Sequence, residues 1–218
     1  MKKTLSFLLL AFACSNLSYA QTEKGTKNLG FNFNYRSSNE KASIADNYNN
    51  TSYPVETTGS SYFIGPSFSY FIANKLEIGV SAGYGYFKNK VDYSQTAETL
   101  FTDLDLKQNQ YIGTLFLRKH IMFTDQFGLR TGPFISYTHA KITTDAGYHN
   151  VTKDYSGGIN LGIEYFPIKK IGIAANLADV SYNHSEQNIT ESNTYKSNSL
   201  GFNLTNSLNL SIVWVFGK

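Results

Sequence analysis

From Ser199 to Phe216 every second residue but one is apolar: Leu200, Phe202, Leu204, Asn206, Leu208, Leu210, Ile212, Trp214 and Phe216. The residues between them, Gly201, Asn203, Thr205, Ser207, Asn209, Ser211, Val213 and Val215, are mostly small or polar. Successive side chains of a β-strand point to opposite faces, so a period of two means one greasy face and one polar face. Strands usually run about 3–10 residues, and this pattern outlasts them. A tilted strand crossing a bilayer needs about 9–11 residues in the hydrocarbon and can project beyond it. The spacing predicts one long closing strand with Leu208, Leu210, Ile212, Trp214 and Phe216 facing lipid.

The start of the chain carries a different signal. Met1-Lys2-Lys3, the apolar run from Leu5 to Ala13 and Ser18-Tyr19-Ala20 before Gln21 have the basic start, short apolar core and small-x-small close of a secretory signal. Residues 1–20 are read as that signal, cut after Ala20, and 21–218 as one outer-membrane barrel domain. The alternative is a lipoprotein signal acylated at Cys14, although Phe12 stands where a small residue is usual. Cys14 is the only cysteine, so the exported chain has no disulfide or thiol chemistry. No later run of about 18 apolar residues would span a membrane as a helix. A net charge of +3 gives no argument for nucleic acid. An exported chain without an anchor helix, carrying 16 Tyr and 16 Phe, reads as an outer-membrane barrel or a secreted β-protein.

Seven further segments alternate in the same way, near 29–36, 60–72, 76–87, 109–119, 127–141, 155–166 and 171–178. Long polar connections are expected near 37–58, 88–107, 142–153 and 181–197. Short ones are expected at Ala73-Asn74-Lys75, at 120–126 and from Pro167 to Lys170. Pro66 cannot donate to a ladder and should mark a bulge or local defect. Long connections at one end and short turns at the other describe an all-β, eight-stranded, antiparallel up-and-down transmembrane β-barrel. An even strand count puts both chain ends on the short-turn side.

Amphipathic rings favour the zone where lipid tails meet headgroups. With the strands in this order, Tyr35, Tyr62, Tyr84, Tyr111, Tyr137, Tyr155 and Phe202 fall at one height and form an outer girdle. Tyr182 is out of phase with Leu177 and breaks the pattern. Tyr70, Phe127, Tyr165, Trp214 and Phe216 form an inner belt. Glycines of the other parity point inward with Arg36, Glu77, Arg118, Arg130, Glu164 and Lys170. An eight-stranded barrel is only wide enough inside for side chains, so a polar core of paired charges without a continuous pore is expected.

Few residues suggest chemistry. The four histidines, His120, His139, His149 and His184, lack metal-ligand spacing, and no cofactor motif is present. His120 follows Arg118-Lys119 and reads as part of a basic cluster near an inner turn. His184-Ser185, with Glu186 and Glu191 nearby, is the one place where base, nucleophile and carboxylate could meet. Neighbours on a strand point apart, however. The acidic residues Asp92, Glu98, Asp103, Asp105, Asp145 and Asp154 could share cations with lipopolysaccharide, but no EF-type loop holds them.

The signal, the eight alternating segments, the order of connections and the aromatic-ended last strand resemble the outer-membrane β-barrel domain family, similar in plan to the OmpX and OmpA transmembrane barrels. Gly217-Lys218 after Phe216 depart from the usual aromatic terminus. The resemblance implies insertion by the outer-membrane assembly machinery, which reads such a last strand. With no peptidoglycan-binding domain following, the barrel-only OmpX form is the nearer comparison. The expected function is that of a non-enzymatic, monomeric outer-membrane protein in contact with membrane lipids and lipopolysaccharide. Its surface loops would serve envelope integrity or adhesion. The alternatives are a lipid A-modifying enzyme of the deacylase kind, and a lipocalin-like soluble carrier with apolar residues inside.

Overall fold

A computed structural model describes residues 20–46, 51–93, 104–144, 147, 149–190, 193–204 and 210–217. The expected signal segment with Cys14, together with Leu208 of the expected closing strand, lies outside the described residues. After a short 3-10 turn (Ala20–Thr22) come β1 (Lys27–Asp46), β2 (Thr51–Ala73), β3 (Leu76–Tyr93), β4 (Leu104–Met122) and β5 (Phe127–Thr144). They are followed by β6 (His149–Ile168), β7 (Ile171–Thr190), β8 (Asn193–Leu204) and β9 (Leu210–Phe216). Each strand from β1 to β7 pairs antiparallel with the next. β9 lies along the first part of β7 and β8 along the rest, so the two fill one position in the ring. β9 also pairs with β1, from Lys27↔Phe216 to Phe33↔Leu210, and closes an eight-position barrel. Beyond Phe33 the described residues of β1 pair only with β2, and those of β8 only with β7.

The short connections and the first and last described residues share one end of the barrel. There the N-terminal segment is stitched to the wall, with Gly25 N–H donating to Phe71 O and Lys75 N–H to Thr22 O. At the far end, the described residues of the expected long loops are largely strand. The β1–β2 ladder runs on to Asp46↔Thr51, β3–β4 to Val91↔Leu104, β5–β6 to Thr143↔His149 and β7–β8 to Thr190↔Asn193. These extensions are rich in Ser, Thr and Asn on both faces. A ladder there needs only backbone pairing, and water on both sides leaves no apolar alternation to read.

Outward side chains are apolar. Leu29, Phe31, Phe68, Ile78, Val80, Leu115, Ile135, Ile159, Ile212 and Trp214 are all exposed. Inward ones are mainly polar, with Asn28, Ser69, Glu77, Arg130, Glu164, Ser181 and Ser211 buried. Phe116 and Phe166 also point in, and their rings occupy the space where Gly79 and Gly172 would carry a Cβ. A slip in the β6–β7 register between Leu161 and Gly162 passes over Leu177. This bulge resets the parity of β7, so Leu177 and Tyr182 both face outward. At Pro66 the β2–β3 ladder omits Gly65 and Pro66 without losing register, and at Pro133 the β4–β5 ladder has a matching gap.

Candidate functional site

The barrel interior near the short-turn end holds one charged cluster, built by β3, β4, β5 and β6. His120 is 3% exposed and lies between two carboxylates. Its Nδ1 is 2.7 and 2.9 Å from the two oxygens of Glu164, and its Nε2 is 3.1 Å from Glu77 Oε2. With both carboxylates ionised, each can only accept, so both ring nitrogens would donate and the ring would be an imidazolium. Glu77 also accepts from Asn28 Nδ2 at 3.1 Å and from Ser69 Oγ. Arg118 approaches Glu77 only to 4.0 Å, with its guanidinium over the Phe116 ring at 3.7 Å. Arg130 is buried beside them. Asn28 Oδ1 and Arg118 Nε are buried without a partner.

Glu77, Arg118, Arg130 and Glu164 thus sit together inside the barrel. Arg36 does not: it is exposed, and it stands on β1 beyond Phe33↔Leu210, the last closing pair among the described residues. Lys170 is exposed in the β6–β7 turn. His120 belongs to the cluster and not to a basic turn, because β4 continues past 119. It takes the same inward parity as Phe116 and Arg118, and that parity is the signal in the sequence that points to it.

On the outer surface, Tyr35↔Tyr62, Tyr84↔Tyr111 and Tyr137↔Tyr155 are direct cross-strand pairs. Ring centroids are 5.5 Å apart in Tyr84–Tyr111 and 5.2 Å in Tyr137–Tyr155, and Tyr62 links to Tyr84 at 6.2 Å. Phe202 and Tyr182 are exposed on the remaining arc. At the other end Phe127 pairs with Tyr165, and Trp214 lies opposite Leu29 and Ile171. Leu210, Ile212 and Phe216 share the outward parity of Trp214.

Beyond the tyrosines the hairpins carry ion pairs. Asp105 lies 3.2 Å from Lys88 and 3.4 Å from Lys107. Burial pushes its carboxyl up, but the hydrogen bond from Lys88 and the two positive charges outweigh this and hold it below its ordinary value. Asp92 pairs with Lys90, while Glu98, Asp103, Asp145 and Glu191 lie outside the described residues. His184 Nδ1 is 2.7 Å from Asn198 Oδ1 and its Nε2 is 3.4 Å from Glu186. The ring is thus engaged by Asn198 and Glu186, and not by Ser185, its neighbour along β7. Among the described residues no group of three or more His, Cys, Asp or Glu side chains is placed to hold a metal ion.

No protein-family model matches the chain, and no curated protein matches it significantly. Among solved structures it is similar to the outer membrane protein OprG of Pseudomonas aeruginosa, at 13% identity over 90% of this chain and 98% of that one, TM-score 0.46. It is also similar to Ail, the attachment invasion locus protein of Yersinia pestis, at 14% identity over 88% and 99%, TM-score 0.37. A third is a major outer membrane protein from Thermus thermophilus, at 10% identity over 88% and 99%, TM-score 0.39. These likenesses are distant, and the barrel stands on its own ladders.

Proposed function

We propose that this chain is a non-enzymatic, monomeric outer-membrane β-barrel whose extended hairpins act at the cell surface, in envelope integrity or adhesion. The observation that carries the reading is the inversion of the usual core: isoleucines, leucines and valines point out, and charges point in. In water such a surface would be an aggregation site, whereas lipid tails satisfy it. A lipocalin-like carrier needs the opposite arrangement, with Leu29, Leu115 and Ile159 inside; all three are exposed. The tyrosine belt supports contact with headgroups, including lipopolysaccharide.

The surface role is supported by the projecting ladders. β1 beyond Phe33 and β8 each pair on one side only among the described residues, and a one-sided strand offers backbone groups to another chain. Insertion by the outer-membrane assembly machinery fits a last strand that ends in Trp214 and Phe216. The deciding experiment is fractionation with electrophoresis of heated and unheated samples. Recovery in the outer membrane with heat-modifiable migration supports the reading, and recovery as soluble periplasmic protein overturns it. For the surface role, deleting the protein should lower adhesion or raise envelope stress. Lipid A acylation that changes with His184→Ala would replace this reading with the enzyme.

A further inference from the structure

The interior cluster is unevenly served. Glu164 receives the His120 Nδ1–H on both oxygens, and Glu77 receives His120, Asn28 and Ser69. Both carboxylates are therefore already engaged, Glu77 by three donors and Glu164 by one, and neither accepts a hydrogen bond from an arginine. Arg118 Nε is buried without an acceptor, and its nearest carboxylate oxygen is 4.0 Å away. Arg130, 9% exposed, feels Glu77 and Glu164 only through space, with no hydrogen bond to either. The two guanidinium groups also repel each other. Counting the imidazolium, three cations face two anions. A guanidinium does not shed its proton in a protein, and an unpaired buried charge is costly. One anion is wanting.

There is space for it. A cavity of about 330 Å³ borders Arg118, Arg130, His120 and Glu164 and continues along the lumen. Its walls combine hydroxyls of Thr114 and Ser136 with the rings of Phe134 and Phe166. Asp179 lines the same cavity, but it accepts from Ser181 Oγ and Asn203 Nδ2 and forms no ion pair with either arginine. The volume is at the lower end for small-molecule sites and exceeds what a bare anionic head would fill. Planar guanidinium forks match carboxylate oxygens in a bidentate fashion.

We propose that the barrel lumen binds a small organic acid, whose carboxylate sits between Arg118 and Arg130 and whose body lies against Phe134 and Phe166. This site goes beyond the surface role and does not depend on it. Purified full-length barrel in detergent micelles is titrated with benzoate, with benzamide as its uncharged isostere and with inorganic phosphate, each against empty micelles. Saturable binding of benzoate, at least tenfold weaker for benzamide and for Arg130→Gln, is the expected result. Equal binding of benzamide, undiminished binding by Arg130→Gln or no binding of benzoate overturns the proposal. Phosphate binding as tightly as benzoate overturns the assignment of an organic acid. The comparison of benzoate with benzamide uses the unaltered protein, so it decides the matter even if Arg130→Gln fails to refold.

Discussion

His120 on β4 reaches across the barrel interior to Glu164 on β6 and donates one N–H to both oxygens of its carboxylate, at 2.7 and 2.9 Å. Its other nitrogen holds Glu77 on β3. One side chain therefore ties two buried acids that would otherwise repel across a low-dielectric space. Removing one partner from a buried charge pair typically costs about 3–5 kcal/mol, because the remaining charge is left without compensation. His120→Ala should destabilise the barrel by that order, read as a lower urea midpoint for unfolding from lipid vesicles. The double variant His120→Ala/Glu164→Gln should recover part of the loss. If the double variant is less stable than the single one, the ion pair is not the source of the effect.

The hairpin of β7 and β8 should respond to acid. The hydrogen bond from Lys196, and after it that from His184, holds the Glu186 carboxyl below the usual carboxylate range. A carboxyl depressed in the folded state adds stability above its unfolded pKa and loses it as pH falls through the folded value. The ordinary value for Glu is about 4.3. Amide protection factors at the outer end of β7 and β8, corrected for the intrinsic pH dependence of exchange, should therefore fall below about pH 4 relative to pH 6. Lys196→Met should flatten this difference. An equal pH response in the variant would remove the ion pair as its cause.

Lys75, in the two-residue turn between β2 and β3, has a φ of 62°. A residue with a Cβ in this left-handed region costs roughly 1–2 kcal/mol, and glycine does not. The backbone of Lys75 donates to Thr22 and accepts from His120 N–H, and both bonds survive substitution. Lys75→Gly should therefore raise stability by up to about 1 kcal/mol, after the entropy cost of glycine in the unfolded chain. A lower urea midpoint would mean that the Lys75 side chain contributes more than its backbone strain removes.

The parity of side chains is legible in the sequence wherever one face meets apolar surroundings, as from Leu76 to Tyr84 on β3. It fails where both faces are wet. Ser37 to Asp46 and Thr51 to Ser60 pair residue by residue, yet nothing in their polar composition distinguishes a ladder from a loop. Tyr182 looks misplaced in the sequence because a period of two cannot show the extra residue at Leu177, which only the register with β6 reveals. His120 reads as a turn residue because Lys119 is exposed and charged, although the inward parity of Phe116 and Arg118 continues to it. Arg36 has that same inward parity and is exposed. Parity says which way a side chain points, but not how far water reaches along that face.

Val80 lies midway along the outward face of β3, between Leu76 and Tyr84, with Phe68 and Leu115 opposite on the flanking strands. It is 48% exposed, so the protein itself contributes little to its surroundings. An arginine at such a position meets water in a soluble protein, and surface changes of that kind usually stay within about 0.5 kcal/mol. In a membrane the same side chain faces hydrocarbon, at about 2–4 kcal/mol near the midplane and much less toward the interfaces. Val80→Arg should therefore destabilise the vesicle-inserted barrel by about 2–4 kcal/mol. Tyr35→Arg, in the tyrosine belt, should cost about 1 kcal/mol or less from lipid exposure. The contrast between the two positions, read from urea unfolding in vesicles, measures the depth of each residue. Equal and negligible effects at both would remove the bilayer from around β3.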